Sequence, residues 1–452
     1  MKITKGITVE AASLLEEIRF GYGPRAGQPL GYGGVDADRV LTQLTTDDPQ
    51  GRAWNRPLLA DRYSLVALYN AQKDTTAGVD PATRKALKAM QAADVDSFVG
   101  RPAFAAAGFV ERLTNLWANR ITISAVSGMV APFVQSFRDE AIRPHIGARY
   151  VDMLKATLWH PGMHLYLTQA NSFGPDSIAG KKRGRGLNEN LAREFLELHS
   201  MRVGYTQDDV TGLAMLLAGM ASDEKGERVD SRRLQPGKKR ILGQTFTDDD
   251  PRHQIDRLVN YVAQRPETAQ NVAFTLARHF IADDPPQDLV NGLAETYLRR
   301  DGDLPSLYRV LLQHPAASAP DRQKLRIPQE YAAATLRLVG ISAADPGFDQ
   351  LLRKIPRAMA AMGQPPFSAL RPDGWPEVSQ GWMTPPMMAS RIDWAVDMAR
   401  RTGAKKVIDP QAMVTTALGE TSSPLLRRAV GGAEQRWEGL AVLLGSPEFS
   451  RR

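Results

Sequence analysis

Apolar side chains recur at three- and four-residue intervals along most of this chain, and that spacing leaves room for little but helices. In the segment 104–119, Phe109, Leu113, Leu116 and Trp117 fall on one side. The same period marks helices at 10–19, 62–72, 81–98 and 146–159, another opening at Pro161, and two more at 188–202 and 207–220. It resumes at 255–264, 267–280, 287–299 and 304–314, and again at 328–339, 351–362, 385–402 and 433–444. Aromatic residues make up only 7% of the 452, which also favours helix over sheet. The expected fold is all-α, a multi-helix globular bundle. A short irregular or β excursion is expected near 222–255, where charged, Gly- and Pro-containing sequence surrounds Arg240-Ile241-Leu242-Gly243. Thr206-Gln207-Asp208-Asp209 has the form of a capping box opening the helix behind it. No period of roughly 20–50 residues repeats, which argues against a solenoid.

Charge and cysteine narrow the function classes. A net charge of +7 over 452 residues is modest and does not mark a nucleic-acid binder. The absence of cysteine removes disulfides, thiolate metal sites and cysteine nucleophiles. The first residues carry neither an apolar stretch nor a twin arginine, and no apolar run approaches the roughly 20 residues that cross a bilayer. A soluble, cytoplasmic protein is the expectation. Gly21-Tyr22-Gly23 and Gly31-Tyr32-Gly33-Gly34 read as turns; with no strand–loop–helix unit around them, they do not make a dinucleotide site.

The densest set of functional groups lies between Leu187 and His199. At roughly 100° per residue, Asn190, Glu194 and Glu197 share one narrow stripe with Arg193 at its edge. Leu187, Leu191, Phe195 and Leu198 form the adjoining apolar stripe, which would carry the polar groups to the border of the core. Three readings stand: a buried network with an Arg193–Glu197 pair one turn apart, half of a divalent-metal site with Glu194 and Glu197 as ligands, or an acid/base and substrate-orienting site. The Glu-x-x-His spacing of di-iron bundles is absent here, which weakens the metal reading. His160 and His164 read as one helix-capping and one surface histidine, and His279 as a helix-end histidine. The basic run 181–185 reads as a solvated loop that offers at most weak contact with nucleic-acid phosphates.

Ordered motifs resemble the bacterial family called "domain of unknown function 1800". They are Asn188-Glu189-Asn190-x-Ala192-Arg193-Glu194-x-Leu196-Glu197-Leu198 and Gly204-Tyr205-Thr206-x-x-Asp209-Val210, preceded by His160-Pro161-x-Met163-x-x-Tyr166-Leu167. Ala277-Arg278-His279-Phe280, Ala282-Asp283-Asp284-Pro285-Pro286, Lys324-x-x-x-Pro328-x-Glu330-Tyr331, Gly363-Gln364-Pro365-Pro366-Phe367 and Pro372-Asp373-Gly374-Trp375-Pro376 follow. The resemblance implies one family domain over 1–452, with helical parts at 1–120, 121–340 and 341–452 and a Pro-rich loop at 363–380. It also implies helical relatives, many of them exported, which often accompany "domain of unknown function 1501" proteins similar to alkaline phosphatases. Two departures stand out: Trp117-Ala118-Asn119-Arg120 where the family has Trp-x-Asn-His, and Met201-Arg202 where it has Leu-Gly.

Two functions are weighed. The first is an enzyme or metal-binding protein whose site joins Glu194, Glu197, Asn190 and Arg193 to Arg120 and Glu330, with Trp375 as a further contact. The second is a non-catalytic maturation or interaction partner of an alkaline-phosphatase-like protein. Nucleic-acid binding through 181–185 ranks third, and the concentration of polar residues on the 188–202 helix favours the first.

Overall fold

The computed structural model describes residues 9–27, 35–73, 75–76, 78–223, 226–404 and 407–452. Helix makes up 61% of it, well above the usual third, and the strands are confined to two antiparallel hairpins. Both hairpins fall in the expected excursion: Met220–Asp223 with Gly226–Val229, and Lys239–Ile241 with Gln244–Phe246. The second turns at Leu242 and Gly243, which both have positive φ, the geometry that matches strand twist in a two-residue turn. The capping box forms as written: Thr206 N–H donates to Asp209 Oδ2 at 2.8 Å, and Asp209 N–H returns to Thr206 Oγ1. The other Asp209 oxygen accepts from Leu242 N–H at 2.6 Å, fastening the hairpin to the helix start.

Two apolar clusters carry the packing. One joins Phe20, helix Gly108–Arg120 and the helices between 134 and 317. The other joins the end of helix Pro81–Phe104 to Pro328–Leu338 and the C-terminal helices. Every residue of Pro328–Leu338 is buried, Glu330 and Arg337 included. Phe367 packs against both clusters, and its carbonyl accepts from Ala125 N–H at 2.7 Å, so the Pro-rich loop spans the seam between them.

Several local expectations change. Residues 181–183 are the last turn of a short helix, Ile178–Arg183, closed by left-handed Gly184, instead of a free loop. Helices Ala37–Thr42 and Pro49–Arg52, each opened by an aspartate cap, lie where the apolar period marks none. The expected 146–159 helix begins at Tyr150, and 351–362 breaks at Lys354 ahead of Pro356. Pro410–Leu418 and Pro424–Gly431 are helices the periodicity did not announce. Gly31 to Gly34 lie outside the described residues.

Helix 188–202 is two structures in series. Asn190–Glu194 is α-helical and Phe195–His199 is a π turn. Ser200 drives the widening, its hydroxyl donating to Phe195 O at 2.6 Å, while Arg202 N–H reaches back to Leu196 O at 2.9 Å. That last bond needs the left-handed region at residue 202, and Arg202 adopts it with φ +67°. A branched or long side chain there costs about 1 kcal/mol or more, and such local strain gathers at functional sites.

Candidate functional site

Helix Gly108–Arg120 delivers two adjacent residues to the seam, and each does a different task. Asn119 grips the Pro-rich loop: its Nδ2 donates to Trp375 O at 3.0 Å and Glu377 Oε1 at 2.9 Å, and its Oδ1 accepts from Trp375 N–H at 2.7 Å. The grip is close enough that a Cβ on Gly374, at φ +79°, would stand 2.3 Å from Asn119 O. Only glycine fits that turn. Arg120 donates to Asn271 Oδ1 at 2.9 Å, and Asn271 in turn holds Ser200 O at 2.6 Å, tying Arg120 to the end of the π turn.

Between this helix, the π turn and the loop lies a cleft of about 800 Å³. Its wall brings Arg120, Glu194, Glu197 and Trp375 together, and adds Arg202, Arg278, Arg371, Asp373 and Glu377. Arg371 pairs with Asp373 at 3.2 Å. Arg120, Arg202 and Arg278 have no carboxylate within ion-pair distance among the described residues. Arg278 stacks 4.3 Å from the centre of Phe274 and spends one donor on Asp283 O, leaving the rest of its fork toward the cleft. Burial lowers the Arg120 pKa, and neighbouring Arg202 adds to the effect. Burial raises Glu194, and the charges of Glu197 and Asp373 push it further, so a proton sits there more readily than on an ordinary carboxylate. Glu194 has no hydrogen-bond or ion-pair partner among the described residues, while Glu197 is exposed at the rim.

The other candidates lie elsewhere. Asn190 is exposed in the first turn of its helix and is not part of the cleft wall. Arg193 pairs backward with Glu189 at 3.1 Å and bonds Gln207, so the expected Arg193–Glu197 pair does not form. The π turn explains this, because it swings Glu197 out of the register that a continuous α-helix would give it. Glu330 is buried behind the cleft, its two oxygens taken by Arg112 Nη1 and Arg452 Nε, each at 2.7 Å. Burial alone would raise that carboxyl, but the charges of Arg112 and Arg452 outweigh it and hold the pKa far below the usual range. Among the described residues no group of three His, Asp or Glu converges in a way that could hold a metal ion.

The histidines at 160, 164 and 279 are all buried. His164 is buried, not on the surface, with Nε2 donating to Leu158 O at 2.9 Å and Nδ1 facing Ser222 Oγ at 3.0 Å. His160 does cap its helix, Nδ1 accepting from Gly162 N–H at 3.0 Å. His279 ends helix Pro266–Phe280 as expected, yet its Nδ1 meets Glu377 Oε2 at 3.0 Å and its Nε2 is buried without a partner. Burial lowers the His279 pKa against the pull of Glu377, which keeps the ring neutral with its proton on Nδ1. A His-Phe at a helix end gives no hint that a carboxylate about a hundred residues later will meet it; the Glu377 of the Pro-rich loop was the available signal.

Among the described residues no helix is long and apolar enough to cross a membrane. No curated protein and no solved structure matches the chain. The motifs that build the π turn, the Asn119 grip and the loop span nearly the whole sequence, and the model of one family covers them from residue 17 to residue 451. The chain belongs to the family described as Protein of unknown function (DUF1800).

Proposed function

We propose that this protein is an enzyme that binds an organic anion in the cleft and exchanges a proton with it through Glu194. The observation that carries the reading is the set of three arginines, Arg120, Arg202 and Arg278, that face one cleft without an ion-pair partner among the described residues, beside a carboxyl whose pKa is raised. Guanidinium forks bind carboxylates and phosphates with paired, charge-assisted hydrogen bonds, so an anion satisfies what the protein leaves open. Trp375, and Leu370 at 89% exposure, give the same cleft an apolar rim, which suits a ligand with a hydrocarbon or aromatic body. Binding a divalent metal through Glu194 and Glu197 alone is less well supported, since a third protein ligand is missing from their neighbourhood among the described residues.

The second reading, a docking site for an alkaline-phosphatase-like partner, draws on the same exposed Leu370 together with Val203 at 62%. An acidic chain segment would then occupy the place of the small anion.

Calorimetric titration with citrate, phthalate and phenyl phosphate tests the proposal. At least one should saturate, and Arg278→Met should weaken it tenfold or more with an unchanged melt. Affinity should rise as pH falls through the raised Glu194 pKa, because protonation removes a negative charge facing the ligand, and Glu194→Gln should flatten that dependence. Failure of every probe to saturate, or a pH profile untouched by Glu194→Gln, would overturn it.

A further inference from the structure

Behind Asn119, Trp375 and Glu377, which form a shared wall, a second and smaller chamber of about 50 Å³ lies between the two apolar clusters. That is room for a few waters or for one small polyatomic ion. Its polar lining is unbalanced. Glu330 has each oxygen committed to a guanidinium, one to Arg112 and the other to Arg452. Arg112 is 1% exposed and spends Nε on Gly21 O and Nη1 on Glu330, while its Nη2 has no acceptor. Arg138 donates to Asn115 Oδ1, lies 5.1 Å from the centre of the Phe98 ring, and has no carboxylate within ion-pair distance among the described residues. Burial, helped by Arg143, presses its pKa down to about 10 against the pull of Asp139 and Glu111. Opposite these donors stands His279, 5% exposed, with Nδ1 fixed on Glu377 and Nε2 unpartnered.

Two arginines with spare donors and one neutral imidazole with a spare acceptor make a specific complement. Buried polar groups of this kind are ordinarily satisfied, and leaving both Arg112 Nη2 and His279 Nε2 open in one chamber is costly. We propose that this chamber binds a small oxyanion that also carries a hydroxyl, the anion lying on Arg112 and Arg138 and the hydroxyl donating to His279 Nε2. A short 2-hydroxy carboxylate and hydrogen phosphate share that chemistry. The chamber is separate from the cleft's own arginines, so it stands or falls independently of the cleft's function.

Titration calorimetry on the full chain with glycolate, acetate and inorganic phosphate tests it. Glycolate should bind in a one-to-one ratio and roughly three- to tenfold more tightly than acetate, the worth of one hydrogen bond. Arg138→Met should weaken all three at least tenfold, and Arg138→Lys, which keeps the charge but loses the fork, should recover only part of it. His279→Phe should erase the preference for glycolate over acetate. Arg278→Met, in the cleft, should change none of these values. If phosphate binds ahead of glycolate, the natural ligand is a phosphate; the reverse order assigns a hydroxy carboxylate. Absence of saturable heat with all three probes, binding unchanged in both Arg138 variants, or loss in Arg278→Met would overturn the proposal.

Discussion

Lowering the pH from 7.5 to 5.0 should cost this protein a large part of its stability, and three buried histidines set the size of the loss. Burial presses His160 down to about 3, His164 to about 4 and His199 to about 3, from an ordinary value of 6.5. The sign follows from which state takes the proton. In the unfolded chain each imidazole charges as pH falls below about 6.5, while in the fold each stays neutral, so the unfolded state gains protons and stability drops until the folded pKa is reached. Above 6.5 the three cost nothing; below it each costs about 1.4 kcal/mol per pH unit. Between pH 7.5 and 5.0 the loss is about 2 kcal/mol per histidine and about 6 kcal/mol for the three, against a typical total of roughly 5–15. Burial is the main reason they stay neutral, and geometry adds to it at His160, whose Nδ1 already accepts from Gly162 N–H. Urea unfolding followed by far-UV circular dichroism at half-unit pH steps measures this directly. His164→Gln should remove about a third of the pH dependence. A urea midpoint that stays constant from pH 7.5 to 5.0 would refute the argument, because it would mean that these rings charge in the fold at no cost.

Four further outcomes are expected. Asn119→Ala removes three hydrogen bonds to the 374–377 turn and should cost about 2–4 kcal/mol, with faster proteolysis inside 363–380 as the independent sign. Arg193→Ala should cost no more than about 1 kcal/mol in a thermal melt, since its pair with Glu189 leaves the side chains 41% and 29% exposed. Glu330→Gln should cost about 3–5 kcal/mol by urea unfolding, because Arg112 and Arg452 lose their shared buried counter-charge. Arg202→Gly should raise stability by about 1 kcal/mol by relieving the left-handed backbone, and should weaken anion binding in the cleft in the same protein.

Where sequence and structure agree, the agreement has a local cause. Helix Gly108–Arg120 was legible because Phe109, Leu113, Leu116 and Trp117 keep a strict period, and the Thr206 box because both of its halves lie within four residues. Glu194 was legible for the same reason: it sits in the α-helical half of its helix, where 100° per residue holds. The expected Arg193–Glu197 pair fails because a hydroxyl at Ser200 opens a π turn, and no count of apolar spacing registers a side chain competing for a backbone carbonyl. Glu330 was grouped with the cleft but belongs to a buried triad with Arg112 and Arg452, and such partners, 218 and 122 residues away, leave no trace in local pattern. The short helices at Pro410–Leu418 and Pro424–Gly431 escaped because each is too brief for a period to show, although Asp409 and Ser423 cap them in the ordinary way. The glycine at 374 and the arginine at 202 carried information that only backbone geometry could release.

The central claim is that the cleft bounded by Arg120, Arg202 and Arg278 receives an anion. A crystal structure determined after soaking with the tightest-binding organic anion measures this most directly. The account predicts continuous ligand density with an oxyanion group within about 3 Å of at least two of those guanidinium groups and the ligand's body against Trp375. A ligand bound elsewhere on the molecule, with the three arginines still facing solvent, would contradict it.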